Sequence, residues 1–265
     1  GVAIAQYEAF FRSFPAGSDY HGLSVHTAML PFIEQEALYG RIDRATEGTK
    51  TAALKPVSLS LFLCPSDAGP RQIKFAGEPY AGTNYAGSCG TWPLGFGFDG
   101  AFGYWRGWGP FIGGKPLRAA GVTDGLSNVF AFSEILRADG TFARLRVNWS
   151  TPQSFGHRTE VDAFARYCGS IPSSPTSHGW LGDPWMRGTP WTSGCVAVTL
   201  YDHVLGPNQP SCYNGTEVTA AAATAASAHP NGVNCLFLDG HLEFVADSIS
   251  IDVWREKGTR STSPD

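Results

Sequence analysis

Charged residues and long apolar runs are scarce in this chain of 265 residues. Asp, Glu, Lys and Arg make up 16% of the sequence, and the formal net charge is -4 at pH 7. Without a basic surplus there is no electrostatic footprint for nucleic acid, so we exclude nucleic acid as a partner. No apolar run approaches the roughly 18 residues that a membrane-spanning helix needs, and no signal peptide is visible.

The sequence also lacks the common catalytic signatures. It contains no G-x-S-x-G, no H-E-x-x-H, no P-loop and no Cys-x-x-Cys, which argues against a hydrolase, a zinc ribbon or a thioredoxin-like site. Gly95, Gly97 and Gly100 spell G-x-G-x-x-G. Pro93 precedes them and an aromatic run follows, whereas a dinucleotide-binding fingerprint needs a strand before it and a helix after it. We predict that the chain is not an enzyme and needs no cofactor.

Cysteine is present six times, at Cys64, Cys89, Cys168, Cys195, Cys212 and Cys235. An even number at scattered spacings favours disulfides and an oxidising, extracellular location. Six cysteines allow about 15 complete pairings, among which the sequence does not choose. Proximity suggests Cys64 with Cys89 and Cys195 with Cys212, which would leave Cys168 with Cys235. Buried free thiols are the alternative.

Glycine and proline are abundant, with 32 and 18 residues, and hydrophobic residues make up 43%. This composition favours an α+β fold, with a helix packed on an antiparallel sheet and long Gly/Pro-rich loops. Helices are predicted over Val2–Phe11, from a cap at Ser24 to Gly40, weakly over 220–228, and over 248–256. Strands are predicted over 57–63, 129–136, 143–148 and 196–201.

A β-hairpin is predicted near the C-terminus. Asp239-Gly240 lies between two alternating segments and suits a two-residue type I′ turn, in which the glycine has positive φ. That turn pairs Phe237 with Leu242 and Cys235 with Phe244. These four side chains would then share one apolar face of the hairpin.

His229 stands ten positions before Asp239, and this H-x9-D-G spacing resembles the signature of a planctomycete family of pilin-like proteins, DUF1559, sometimes described as solute-binding-like. Further segments resemble the family in its order. They are A-I-A-Q-Y-E-A-F-F-R-S-F-P-A-G, A-M-L-P-F-I-E-Q-E-A-L-Y-G, F-L-C-P-S-D, T-N-Y-A-G-S-C-G, V-T-D-G-L-S-N-V-F-A-F-S-E, L-G-P-N-Q-P-S-C and the tail D-S-I-S-I-D-V-W-R-E-K-G-T-R. Residues 142–190 match poorly and are interpreted as an insertion.

The resemblance implies a single pilin-like domain over 1–265, with a helical part over 1–40 and a C-terminal part over 191–265. It implies an extracellular structural subunit that associates with itself into a filament or pseudopilus. The family normally begins with a leader and a long hydrophobic helix, and Gly1 would lie inside the C-terminal end of that helix. Membrane contact is therefore expected only through a helical segment that precedes this sequence.

His229 could be a metal ligand or a base. We interpret it as structural, with its ring hydrogen-bonded to backbone at the start of the hairpin, because no second histidine or acid lies at ligand spacing nearby. Asp124, Ser127 and Asn128 form an oxygen-rich turn that also contains Gly125. Side-chain-to-backbone bonding alone accounts for such a turn, and calcium near Asp124 is the alternative.

Two kinds of candidate contact remain. Asn148 and Asn214 begin N-x-S/T sequons, so both are candidate glycosylation sites. The aromatic run over 92–111 includes Trp92, Tyr104, Trp105 and Trp108. It either folds onto its own core or forms a subunit contact or glycan-stacking surface. A glycan-stacking surface would give the alternative function, an extracellular carbohydrate- or solute-binding module.

Overall fold

The computed structural model describes residues 1–42, 52–91, 99–102, 117–156 and 158–261. Within these ranges the fold is α+β, as predicted, with six α-helices and three sheets. The helices are α1 (Val2–Phe11), α2 (Val25–Met29), α3 (Glu36–Tyr39), α4 (Val161–Gly169), α5 (Val196–Thr199) and α6 (Ile251–Glu256). Not one helix of the described ranges has the length and apolar character needed to cross a bilayer.

The strands are β1 (Gln72–Phe75), β2 (Glu78–Ala81), β3 (Tyr85–Ser88), β4 (Phe130–Glu134), β5 (Asn148–Ser150), β6 (Gly182–Asp183), β7 (Leu200–Tyr201), β8 (Ser211–Asn214), β9 (Glu217–Ala222), β10 (Gly232–Phe237) and β11 (Leu242–Ala246). The larger sheet has the order β11-β10-β4-β3-β7, and the second has the order β6-β5-β8-β9. Both sheets are mixed, because β3 pairs with β7 and β5 pairs with β8 in parallel. Strands β1 and β2 form a separate hairpin.

The N-terminal helix α1 has the bounds that the sequence predicts. Its buried residue Ile4 belongs to the core cluster that contains Phe132 of β4 and Leu238, the residue after β10. Ser24 caps α2 by accepting a hydrogen bond from the Thr27 amide at 3.4 Å. The single helix predicted from there to Gly40 is wrong. The chain tightens into a 3-10 turn over Leu30–Ile33 and then turns at Glu34, which has φ 61, before α3.

Four further predictions from local pattern are wrong in whole or in part. The segment 57–63 is a loop with a 3-10 turn over Ser60–Phe62 rather than a strand. The alanine-rich segment 220–228, predicted as a helix, begins within β9, because α5 packs on β9 and small side chains let the two backbones approach. The segment 196–201 is helical in α5 and extended only in β7, and 143–148 is extended only from Asn148. The strand β4 and the helix α6 lie where the sequence predicts them.

The C-terminal hairpin is confirmed, but its register is one residue away from the predicted one. Leu236 pairs with Leu242 and Cys235 pairs with Glu243. Gly240 donates to the Phe237 carbonyl at 3.0 Å and alone in the turn has positive φ, 95°, so the loop is a three-residue turn with a glycine bulge.

A one-residue slip moves every side chain of a strand to the other face of the sheet. Leu242 and Phe244 therefore leave the apolar face that the sequence predicts for them, and they are 71% and 49% exposed. Cys235 and Phe237 are buried on the opposite face, against Trp254 of α6.

One disulfide, Cys168–Cys212, joins α4 to β8 with a Cα–Cα distance of 5.9 Å. The predicted pairings Cys195–Cys212 and Cys168–Cys235 are therefore wrong. Cys64 and Cys89 are separate buried thiols, so that pairing is wrong too. The segment 142–190 folds α4 over the four-stranded sheet, where Trp149 and Phe164 form a core around the disulfide. Sequence proximity could not reveal this packing.

Removal of the disulfide should lower the free energy of unfolding. It closes a loop with a sequence separation of 44 residues, and such loops typically contribute about 2–4 kcal/mol by restricting the unfolded chain. We expect Cys168→Ala/Cys212→Ala to lose this amount in denaturant unfolding. A reductant should destabilise the unchanged chain and leave the double variant unaffected. Equal stability of the unchanged chain with and without reductant would contradict the assignment.

Gly240→Ala should destabilise the hairpin through backbone strain alone. A Cβ at Gly240 would meet no atom closer than 3.7 Å, but φ there is 95°. An L residue in such a conformation costs about 1 kcal/mol. Gly156→Ala is the matched control, since a Cβ there also has open space and φ is not positive. Urea unfolding that shows equal stability for both variants would refute the turn geometry.

Candidate functional site

Three side chains from distant parts of the sequence meet at one end of the five-stranded sheet. They are Cys64, Glu134 at the end of β4, and His229 just before β10. Because β4 and β10 are antiparallel neighbours, the end of one strand adjoins the start of the other. We call these three residues the Cys–Glu–His cluster.

The cluster is compact and partly open to solvent. Nε2 of His229 lies 3.3 Å from Oε1 of Glu134 and 3.7 Å from Sγ of Cys64. The three potential ligand atoms all lie within 4.8 Å of one another. The Glu134 side chain is 4% exposed and that of His229 is 35% exposed. The imidazole therefore forms the outer wall of the cluster.

The carboxylate of Glu134 is held by the neighbouring strand. Its Oε2 accepts hydrogen bonds from the backbone amide of Asn234 at 2.8 Å and from the Asn234 side chain at 3.1 Å. Those two donors occupy one oxygen and leave Oε1 directed at His229. A buried carboxylate needs such partners, because an unpaired charge would be costly to bury.

Cys64 is positioned by the tight turn of its Cys-Pro-Ser-Asp segment. The Asp67 amide donates to the Cys64 carbonyl at 3.1 Å, and the Cys64 amide donates to Oδ1 of Asn84 at 3.1 Å. The Asn84 side chain in turn donates to Oδ2 of Asp67 at 2.6 Å and to the Ile135 carbonyl at 3.0 Å. One amide side chain therefore fixes both ends of the turn and ties it to the end of β4.

Asp67 is a buried acid between two arginines. Its carboxylate lies 2.6 Å from Nη2 of Arg146 and 3.7 Å from Nε of Arg137. Burial raises the pKa of Asp67, but hydrogen bonds from Arg146, Asn84 and the Gly69 amide outweigh burial and hold the pKa below its usual value. The acid is therefore ionised and anchors the turn that presents Cys64.

The backbone of His229 is fixed from the other side. Its amide donates to Oγ of Ser227 at 3.1 Å, and the Ser227 amide donates to Oδ1 of Asn208 at 2.9 Å. Asn208 has φ 56 and also donates to Asp247 at 2.7 Å. The Gly-Pro-Asn-Gln-Pro segment and the segment after β11 thus hold the loop from which the imidazole projects.

The prediction that His229 lacks ligand partners is wrong. Its ring contacts Glu134 and Cys64 rather than backbone, and both partners are far away in the sequence. Spacing near His229 could not show them. The available signal was that Cys64 and Glu134 belong to two other segments with the family resemblance, F-L-C-P-S-D and V-T-D-G-L-S-N-V-F-A-F-S-E.

The geometry does not match a nucleophilic relay. In a Cys–His–acid relay the acid binds the ring nitrogen opposite the one that faces the thiol. Here Nε2 of His229 faces both Cys64 and Glu134. Three potential ligand atoms within 4.8 Å of one another are instead compatible with ligands around a common ion.

Asp239 and Gly240 shape the turn at the far end of the hairpin. Oδ1 of Asp239 accepts from the backbone amide of His241 at 3.1 Å and lies 2.6 Å from its ring nitrogen Nδ1. Slight desolvation raises the pKa of Asp239, but these hydrogen bonds hold it below its usual value. His229 precedes β10 and the Asp-Gly pair follows it. The two halves of the H-x9-D-G spacing therefore lie at opposite ends of this strand and do not meet.

Asp124, Gly125 and Asn128 form the predicted turn. Gly125 has φ 90, and the Asn128 side chain donates to the Asp124 carbonyl at 2.8 Å. Within the described ranges, the Cys–Glu–His cluster is the one group of three or more His, Cys, Asp or Glu side chains close enough to hold a metal ion. Asp124 is not part of it. Calcium near Asp124 stays a prediction.

Both candidate glycosylation sites are corrected. Asn148 and Asn214 are buried. The side-chain amide of Asn148 donates to the Ala197 carbonyl at 2.9 Å, and the side-chain amide of Asn214 donates to the Phe155 carbonyl at 2.9 Å. A glycan would need that same nitrogen in solvent, so neither residue can hold one in this fold. Trp92, Tyr104, Trp105 and Trp108 lie outside the described residues, whereas Phe102 of the same run is buried, 5.1 Å from the Phe132 ring.

Residues 1–252 match the sequence profile of the family SBP_bac_10, described as a protein of unknown function (DUF1559). The chain therefore belongs to the DUF1559 family, as the resemblance indicates. No curated protein and no solved structure matches it significantly.

Asp67→Ala should strongly destabilise the fold, because it leaves buried Arg137 without its carboxylate partner. Removal of one member of a buried ion pair costs about 3–5 kcal/mol. Asp139→Ala is the control, since Asp139 also pairs with Arg146, at 3.2 Å, but is more exposed and should contribute about 1 kcal/mol or less. Denaturant unfolding measures both, and equal losses would contradict the anchoring role.

Proposed function

We propose that this protein is a structural, non-enzymatic subunit of an extracellular pilin-like filament or pseudopilus. The observation that carries the proposal is an exposed apolar surface around α1. It comprises Val2, Phe10, Phe32, Leu61 and Leu242, which line two adjoining grooves, and we call it the α1 surface. Large exposed apolar patches on proteins typically mark contacts with other molecules.

The α1 surface has the composition of an interface core. The rings of Tyr7, Phe10, Phe11 and Phe32 form one cluster, in which Tyr7 and Phe11 are 4.5 Å apart and Phe10 and Phe32 are 6.4 Å apart. Phe10 is 74% exposed. Clustered aromatic rings are typical anchors of protein interfaces. Glu34 is the one charged side chain that lines the groove beside Phe10 among the described residues.

The edge of the larger sheet continues this surface. Strand β11 is at the edge of the sheet, and it exposes Leu242 and Phe244. An edge strand with exposed apolar side chains favours association with another chain, unless a part of the same protein covers it. A second copy of the chain in a filament is the occupant that the resemblance to pilin-like proteins implies. The disulfide Cys168–Cys212 fits an oxidising location such as the cell exterior.

The alternative, a carbohydrate- or solute-binding module, depends on Trp92, Tyr104, Trp105 and Trp108. These residues lie outside the described ranges, so no described contact favours this function. It predicts a monomeric chain that binds a sugar saturably, an outcome that would replace the filament proposal.

Phe10→Asp should weaken self-association without unfolding the subunit. An aromatic anchor contributes about 2 kcal/mol to an interface, which is about 30-fold in Kd. Leu181→Asp is the matched control, because Leu181 is 75% exposed and lines neither groove of the α1 surface. Sedimentation and electron microscopy of the two variants and the unchanged chain measure assembly, and thermal unfolding checks that both variants fold.

The proposal fails if the unchanged chain stays monomeric at high concentration, or if Leu181→Asp weakens assembly as much as Phe10→Asp. Polymers that Phe10→Asp prevents and Leu181→Asp leaves intact are the expected result.

A further inference from the structure

We propose that the Cys–Glu–His cluster binds one zinc ion, through Sγ of Cys64, Oε1 of Glu134 and Nε2 of His229. Thiolate, carboxylate and imidazole are all common zinc ligands, and a site that includes a soft thiolate disfavours magnesium and calcium. The thiolate and the carboxylate together bring two negative charges, which neutralise a divalent cation. The inference concerns a region distinct from the α1 surface and does not depend on filament assembly.

Two of the three distances between the donor atoms fit tetrahedral coordination, and all three atoms lie within 4.8 Å of one another. Bonds of about 2.3 Å to sulfur and about 2.0–2.1 Å to nitrogen and oxygen place sulfur and nitrogen about 3.6 Å apart, and nitrogen and oxygen about 3.3 Å apart. The observed separations are 3.7 Å for Cys64 to His229 and 3.3 Å for His229 to Glu134. The same ring nitrogen faces both partners, as convergence on one ion requires.

Surrounding groups hold the ligands in place. Asn234 binds the oxygen of Glu134 that does not face His229, and Asn84 fixes the backbone of Cys64. Such outer contacts orient ligands and raise metal affinity. His229 is 35% exposed, so the outward side of the cluster is open to solvent. Three protein ligands and a water in the fourth position complete the coordination.

A competing explanation of the same contacts is an ion pair between protonated His229 and Glu134, with a neutral thiol beside it. The two explanations differ in what they predict for Cys64. Zinc binding requires its thiolate and releases protons on loading, whereas the ion pair needs neither. A probe that reports a metal–thiolate bond therefore separates them.

The test uses the full chain with its disulfide intact, titrated under anaerobic conditions with Co²⁺ and then with Zn²⁺. We expect one equivalent of Co²⁺ to produce a thiolate-to-metal charge-transfer absorption, and Zn²⁺ to displace it with release of protons. Cys64→Ser should abolish this absorption. Glu134→Gln and His229→Gln should each weaken Zn²⁺ binding by more than about 100-fold, beyond the effect typical of outer contacts.

Two control variants test for adventitious binding. Cys195→Ser removes a thiol outside the cluster, and His241→Gln disrupts another histidine–carboxylate contact, that of His241 with Asp239. Both should bind Zn²⁺ like the unchanged chain. Absence of the charge-transfer absorption, or equal affinity in cluster and control variants, would overturn the proposal.

If a cluster variant fails to fold, the unchanged chain still decides the question. X-ray absorption of its zinc-loaded form should show one sulfur and three nitrogen or oxygen neighbours. A coordination shell without sulfur would overturn the proposal as firmly as the failure to bind zinc.

Discussion

The burial of β4 on both faces is the constraint on which the rest of the structure depends. All five of its residues are buried, and β10 and β3 flank it on either side. Phe130 packs on one face against Phe237 and Trp254, and Phe132 packs on the other against Phe102 and His26. A central strand with two apolar faces needs cover on both, which α6 and the N-terminal helices provide.

The Cys–Glu–His cluster follows from the way β4 ends. Its last residue, Glu134, is a buried acid, so the structure must place partners around it. Asn234 comes from the paired strand, and His229 comes from the loop that begins that strand. Asn84 ties the Cys64 turn to the residue after Glu134, so one end of the sheet and two loops form one polar network. The segments that resemble the DUF1559 family meet in this network, which gives their shared presence a physical reason.

The α1 surface has a different origin, because it results from local geometry rather than from a buried charge. Ile4 is the buried residue of α1, so most of that helix remains outside the core. The three-residue turn at Gly240 sets the hairpin register and places Leu242 beside the start of α1. A two-residue turn would have turned Leu242 to the other face, and the apolar surface would have been smaller.

The sequence by itself determined the fold class, the helix α1, the cap of α2 at Ser24, the strand β4 and the presence of the C-terminal hairpin. These depend on short-range effects: capping, periodicity and the preference of glycine for positive φ. Only the tertiary structure decided the hairpin register, the extended state of the alanine-rich β9, the disulfide Cys168–Cys212 and the partners of His229. Each of these depends on packing between segments far apart in the chain, where core contacts outweigh local propensity and sequence distance says nothing about spatial distance.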